Sequence, residues 1–224
     1  MLFRFITLSS AVVLPANPLA HLQGFRPDQL APLGLIVGVP QLVLGSVVAL
    51  LLYQRWVDGR HVFALGLLCI SAACWLGAQV DADWMVAQWR PAQVLQAIGQ
   101  PMAIVALLFL ATSVVQPMEG PSVSGIVNTL RALGTLCSGA AVGQFLQDRS
   151  AFHADMLIDT LGQLNPLGAG ASATASLTAL SEQAAVLSAA DVYRVFGTLA
   201  LLMVPVVLCL QHIPAPQTRT PLSP

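Results

Sequence analysis

Apolar residues in this chain gather into long runs separated by short polar breaks. No residue between Asp28 and Arg55 is charged, none from Val62 to Val80 and none from Pro91 to Met118, while 120–147 carries only Arg131. About 20 mostly apolar residues are needed to cross the hydrocarbon layer of a bilayer. The runs therefore predict membrane helices near 31–53, 62–80, 92–116 and 122–147, with a further one at 191–211 around VFGTLALLMVPVVLCL. The opening stretch, MLFRFITLSSAVVLPANPLA, reads as another span near 2–20, shortened or broken by Pro15 and Pro18. The same stretch also has the arrangement of a secretory signal peptide. The expected fold class is all-α: a polytopic membrane helix bundle of about six transmembrane helices.

Between the last two runs, 148–190 is rich in Gly, Ser, Thr and Asn over TLGQLNPLGAGASATASLTALS and reads as a loop too polar to enter lipid. From Ser176 to Arg194, apolar residues recur among polar ones, which predicts a short surface helix feeding the last span. The final residues, 214–224, read as a disordered tail beyond the membrane bundle 1–213. An even number of spans places both ends on one side. Arg4, Arg55, Arg60 and Arg219 share that side, against Arg26, Arg90 and Arg149 on the other, and Arg55 with Arg60 in a short loop favours cytoplasmic termini mildly.

Composition sharpens the class. The 224 residues are 56% hydrophobic and only 8% charged, where a soluble domain carries about a quarter charged residues; a water-soluble globule is excluded. The formal net charge is -1, and all nine basic residues are arginine. That leaves no basic field to attract nucleic acid. Cys69, Cys74, Cys137 and Cys209 fall inside the spans without paired spacing, and His21, His61, His153 and His212 sit near span ends, so they read as packing and interfacial residues. No metal-binding histidine pair, nucleophile elbow or phosphate-cradling loop is present, so neither enzyme chemistry, metal nor cofactor is expected.

The span 122–147 is the least lipid-like. Ser124, Asn128, Arg131, Thr135 and Ser138 follow at spacings of four, three, four and three, which places them on one helical face. A buried arginine is costly in lipid unless it faces other helices or water, so Arg131 reads either as a charge lining a substrate or gating cavity or as an anchor at a protein interface. Gln93, Gln96 and Gln100 share a face of 92–116 beside the helix-bending Pro101, and the stripe on 122–147 is their expected partner. Gly34 with Gly38, and Gly139 with Gly143, make small-xxx-small pairs suited to close helix packing. All ten carboxylates are expected in loops or at helix ends, leaving no acid within the membrane to carry a proton.

Two stretches carry a resemblance. The loop 54–61, with Arg55, Asp58 and Arg60, resembles the short Asp/Arg cytoplasmic loops of major facilitator carriers. The segment 120–153, GPSVSGIVNTLRALGTLCSGAAVGQFLQDRSAFH, is similar to the penultimate helix of the fourteen-helix drug/proton antiporters, the EmrB/QacA-like branch. The order of spans, long loop and tail resembles the C-terminal part of such a carrier, from about its ninth helix onward. The chain departs from the family at Ala97, where glycine is usual, and near Ala106, where proline is usual.

The resemblance implies a bacterial inner membrane protein with cytoplasmic termini and an extracytoplasmic 148–190 loop. It also implies that the proton-carrying carboxylates lie in an N-terminal half. The expected function is the C-terminal half of a secondary active multidrug efflux transporter, moving amphipathic organic compounds against protons. Gln96, Gln100, Asn128, Arg131 and Thr135 would line its cavity. Its partners would be the lipid bilayer, the N-terminal half of the same carrier or another membrane protein, and small amphipathic substrates. The alternative is a non-transporting membrane scaffold or accessory subunit.

Overall fold

The computed structural model describes residues 6–7, 9–21, 24–54, 56–113, 115, 117–164 and 173–210, and every element among them is helical. A π-helical turn, Ser9–Val13, runs directly into a short helix, α1, Leu14–His21. The longer helices are α2, Pro27–Leu52; α3, Gly59–Gly77; α4, Val86–Thr112; α5, Gly120–Leu164; and α6, Ala173–Leu208. The expected tail 214–224 lies outside the described residues, as do Arg55 and the outermost part of the expected first span.

Among the described residues, four stretches are long and apolar enough to cross a membrane: Asp28–Leu52, Gly59–Gly77, Val86–Thr112 and Thr178–Leu208. Leu42, Val43, Leu50, Leu202 and Val206 on two of them point outward, an arrangement that suits lipid and would be costly in water. The chain is an all-α integral membrane bundle. The span expected at 122–147 lies within α5, which falls outside this apolar set because Ser, Thr, Gly and Arg131 dilute it.

Contacts run in a row: α2 packs on α4, α4 on α3, α3 on α6, and α6 on α5. The tightest crossing joins α3 to α4. A Cβ added to Gly66 would lie 2.7 Å from the Ala103 nitrogen, and one on Gly99 would lie 2.9 Å from the Gly66 carbonyl oxygen. Only glycine lets two backbones meet this closely. Gly77 against Tyr193 and Gly197 against Trp75 serve the α3–α6 contact in the same way. The small-xxx-small pairs do not do this work within the chain. A Cβ at Gly34, Gly38, Gly139 or Gly143 would meet nothing within 4 Å among the described residues.

The expected loop 148–190 is corrected over most of its length. Helix α5 continues to Leu164, α6 begins at Ala173, and the surface helix expected at 176–194 is the first half of one 36-residue helix. Hydropathy separates lipid from water but not helix from loop, and Ala179, Ala184, Ala185, Ala189 and Ala190 favour helix strongly. At 1.5 Å per residue, α5 is about 67 Å long, more than twice the roughly 30 Å hydrocarbon layer.

Candidate functional site

The glutamine face of α4 is buried, with Gln93, Gln96 and Gln100 at 1%, 2% and 8% exposure. Its partner differs from the expected one: the glutamines meet the N-terminal segment, not the polar stripe of α5. Gln93 Nε2 donates to the Ala11 carbonyl at 3.0 Å, Gln96 Nε2 to Ser10 Oγ at 2.8 Å, and Gln100 Nε2 to the Thr7 carbonyl at 3.3 Å. Gln100 Nε2 also reaches Gln96 Oε1 at 3.1 Å, while Gln41 Nε2 of α2 donates to Gln100 Oε1 at 2.7 Å. Ser10 Oγ in turn donates to the Ile6 carbonyl at 2.6 Å. Donors thus run one way, from Gln41 through Gln100, Gln96 and Ser10, an order in which each bond polarises the next.

Pro15 explains why backbone carbonyls are available here. A proline has no N–H, so an α-helical register leaves the Ala11 carbonyl bare and a π register leaves that of Ser10 bare. The π-helical turn changes to α-helix at this point. Gln93 takes the first carbonyl, and the Tyr193 hydroxyl of α6 donates to the second at 2.9 Å. Trp89 stacks on Tyr193 with ring centroids 5.7 Å apart. Trp89 Nε1 and Gln93 Oε1, one turn apart on α4, are buried with no hydrogen-bond partner among the described residues.

The stripe on α5 has two fates. In its C-terminal part, Ser138 and Val142 are buried, and the same face continues at the helical spacings of Arg149 and His153. In its N-terminal part Ser124, Asn128 and Arg131 stay exposed, Thr135 is half-buried with its hydroxyl on the Arg131 carbonyl at 2.9 Å, and the Arg131 guanidinium has no partner among the described residues. Here α5 stands clear of the bundle and forms, with the end of α4, a groove of about 320 Å³. Leu108, Ala111, Val123 and Val127 supply apolar walls, and Thr112, Ser124, Asn128 and Arg131 supply the polar groups. The five residues expected to line one cavity therefore occupy two places: Gln96 and Gln100 in the sealed core, Asn128 and Arg131 in this open groove, with Thr135 on the groove's helix.

A third cluster was not expected. Asp191 lies eighteen residues inside α6, not at a helix end, and its carboxylate binds both nitrogen-bearing residues facing it from α5. Arg149 Nε donates to Oδ2 at 2.8 Å, Arg149 Nη2 at 2.5 Å, and His153 Nε2 lies 2.8 Å from the same oxygen. Arg194 Nη1 reaches Oδ1 at 3.2 Å. Phe152 braces the cluster, with the Arg149 guanidinium 4.9 Å above its ring. His153 and Arg149 lie 38 and 42 residues from Asp191, too far apart for sequence spacing to join them. An acid within an alanine-rich helical stretch was the available sign. Asp148, Asp155, Asp159 and Glu182 likewise lie within α5 and α6.

In the loop motif, Asp58 caps α3 by accepting from the Arg60 backbone nitrogen at 3.0 Å. Arg60 folds back on the same carboxylate, Nη2 to Oδ2 at 2.7 Å, and donates from Nη1 to the Leu210 carbonyl just past α6 at 2.6 Å. The motif ties the start of α3 to the end of α6. Among the described residues no three His, Cys, Asp or Glu side chains come together in a metal-binding group. The described hydrogen bonds and ion pairs fall in a buried core, an open groove and a clasp. No protein-family model matches the chain, and no curated protein matches it.

Proposed function

We propose that the chain is one half of a secondary active carrier that exports amphipathic organic compounds in exchange for protons, and that a second membrane half completes its path. The observation that carries this reading is the split fate of the α5 stripe. A face that packs against the bundle at Ser138 and Val142 continues, uncovered, through Thr135, Arg131, Asn128 and Ser124. Polar groups and an arginine within a membrane helix normally face protein or a water-filled cavity, so this strip calls for a second helical surface across a polar space. Sealing of Gln93, Gln96 and Gln100 in the core leaves the path to run along α5, at the edge of the chain. Carriers of this kind place their substrate sites between two halves, and an edge site suits that arrangement. The resemblance of 54–61 and 120–153 to EmrB/QacA-like drug/proton antiporters points the same way and would place the termini in the cytoplasm of a bacterium.

Export of a fluorescent amphiphile from cells making the protein with its native membrane partners tests the reading. Arg131→Ala is expected to leave abundance and partner association unchanged while abolishing export. A scaffold or accessory subunit would instead lose abundance or partner association with the same substitution, and that outcome would replace the carrier reading.

A further inference from the structure

The groove between α4 and α5 has a chemistry that selects its occupant. Its walls, Leu108, Ala111, Val123 and Val127, are apolar, and its charged group is the Arg131 guanidinium, with Asn128 one turn away. No carboxylate lines it, and no described residue pairs with the guanidinium. Glu119, the acid nearest in sequence on that side, precedes Arg131 by twelve residues, about 18 Å along the helix. The positive charge is therefore uncompensated by any described acid, beside apolar walls. A cationic head would be repelled there, and a neutral one would leave the guanidinium unpaired.

We propose that this groove binds single-chain amphiphiles with an anionic, carboxylate-type head: the head pairs with Arg131 and Asn128, and the apolar tail lies along Leu108, Ala111, Val123 and Val127. The volume of about 320 Å³ is at the small end of ligand sites, which fits a short chain and not a two-tailed lipid. The planar guanidinium matches a carboxylate through two parallel hydrogen bonds, and the Asn128 amide adds a neutral donor. The groove is open to the outside of the bundle at the exposed Asn128 and Arg131, so the occupant enters from that side. Naming this occupant as cargo rests on the carrier reading; its binding does not.

The test uses the purified full chain in phosphatidylcholine nanodiscs, with radiolabelled dodecanoate, its methyl ester and the matching trimethylammonium amphiphile as probes. The carboxylate is expected to bind at least about tenfold more tightly than either of the others. Arg131→Gln is expected to remove that preference while leaving the ester unchanged, with Arg131→Lys intermediate because it keeps the charge but loses the planar fork. Equal binding of acid and ester, or a preference that survives Arg131→Gln, overturns the proposal. Should Arg131→Gln fail to fold, Asn128→Leu serves, with a smaller loss expected for the carboxylate alone and no loss counting against the site. Displacement of the probe by phosphatidylglycerol in the disc would assign the groove to bilayer lipid and also overturn it. Selective binding without export would leave this site standing and remove the carrier reading.

Discussion

Gln93 donates to the carbonyl of Ala11 across 3.0 Å, and that carbonyl is the one Pro15 cannot serve. Gln93 on α4 and Pro15 on α1 therefore act as a pair. Gln93→Leu strands a buried carbonyl and is expected to cost about 1–3 kcal/mol. Adding Pro15→Ala to it restores an N–H in the α-helical position and should recover part of the loss. Unfolding of the four proteins of this cycle in mixed micelles measures the coupling, and strictly additive effects would show that the carbonyl is satisfied in some other way.

Glycine substitutions should divide sharply. Gly66→Ala and Gly99→Ala place a methyl group under 3 Å from backbone atoms of the facing helix, so α3 and α4 must separate, with an expected loss of about 1–3 kcal/mol. Gly34→Ala and Gly139→Ala point into open space and should leave the melting temperature of the isolated chain unchanged. A fall in association with a partner subunit for Gly139→Ala, with stability kept, would mark that face of α5 as an interface.

The Asp191 clasp predicts a rescue. Asp191→Ala removes the acceptor shared by Arg149, His153 and Arg194, so the bases of α5 and α6 should part and protease should cut the hairpin faster. Partly exposed ion pairs contribute little individually, which makes the exchange a better test than the deletion. Asp191→Arg with Arg149→Asp is expected to restore protection that each single change loses. Equal cutting of single and double variants would show that packing alone holds the hairpin.

Arg60→Ala removes the donor to the Leu210 carbonyl and leaves the Asp58 cap of α3 in place. Amide hydrogen exchange is expected to speed up over the last turn of α6 and to stay unchanged at the start of α3. Faster exchange at both ends would mean that Arg60 orders the Asp58 cap as well.

The helical class and the four apolar spans were legible because a run of apolar residues bounded by charge has few other physical solutions. The glutamine face of α4 was legible too, since three amides at helical spacing must find partners. Which partner they would find was not. That depended on carbonyls freed by Pro15, and a proline in the sequence announces a broken helix without saying which side chain will take the exposed oxygen. The α5–α6 helices were hidden for a different reason: hydropathy does not distinguish a polar helix from a loop, and the partners of Asp191 come from another helix, 38 and 42 residues away. Arg131 was singled out by its cost in lipid, yet only the divergence of α5 from the bundle separates it from the glutamines.

The length of α5 has a mechanical consequence. Beyond Arg149 it continues fifteen residues to Leu164, an arm of about 22 Å past the clasp. A tilt of about 10° there would sweep its end by roughly 4 Å, while the same helix, on the other side of the clasp, carries Arg131. A pull on the far end of α5 would thus be delivered, along one continuous helix, to the wall of the groove.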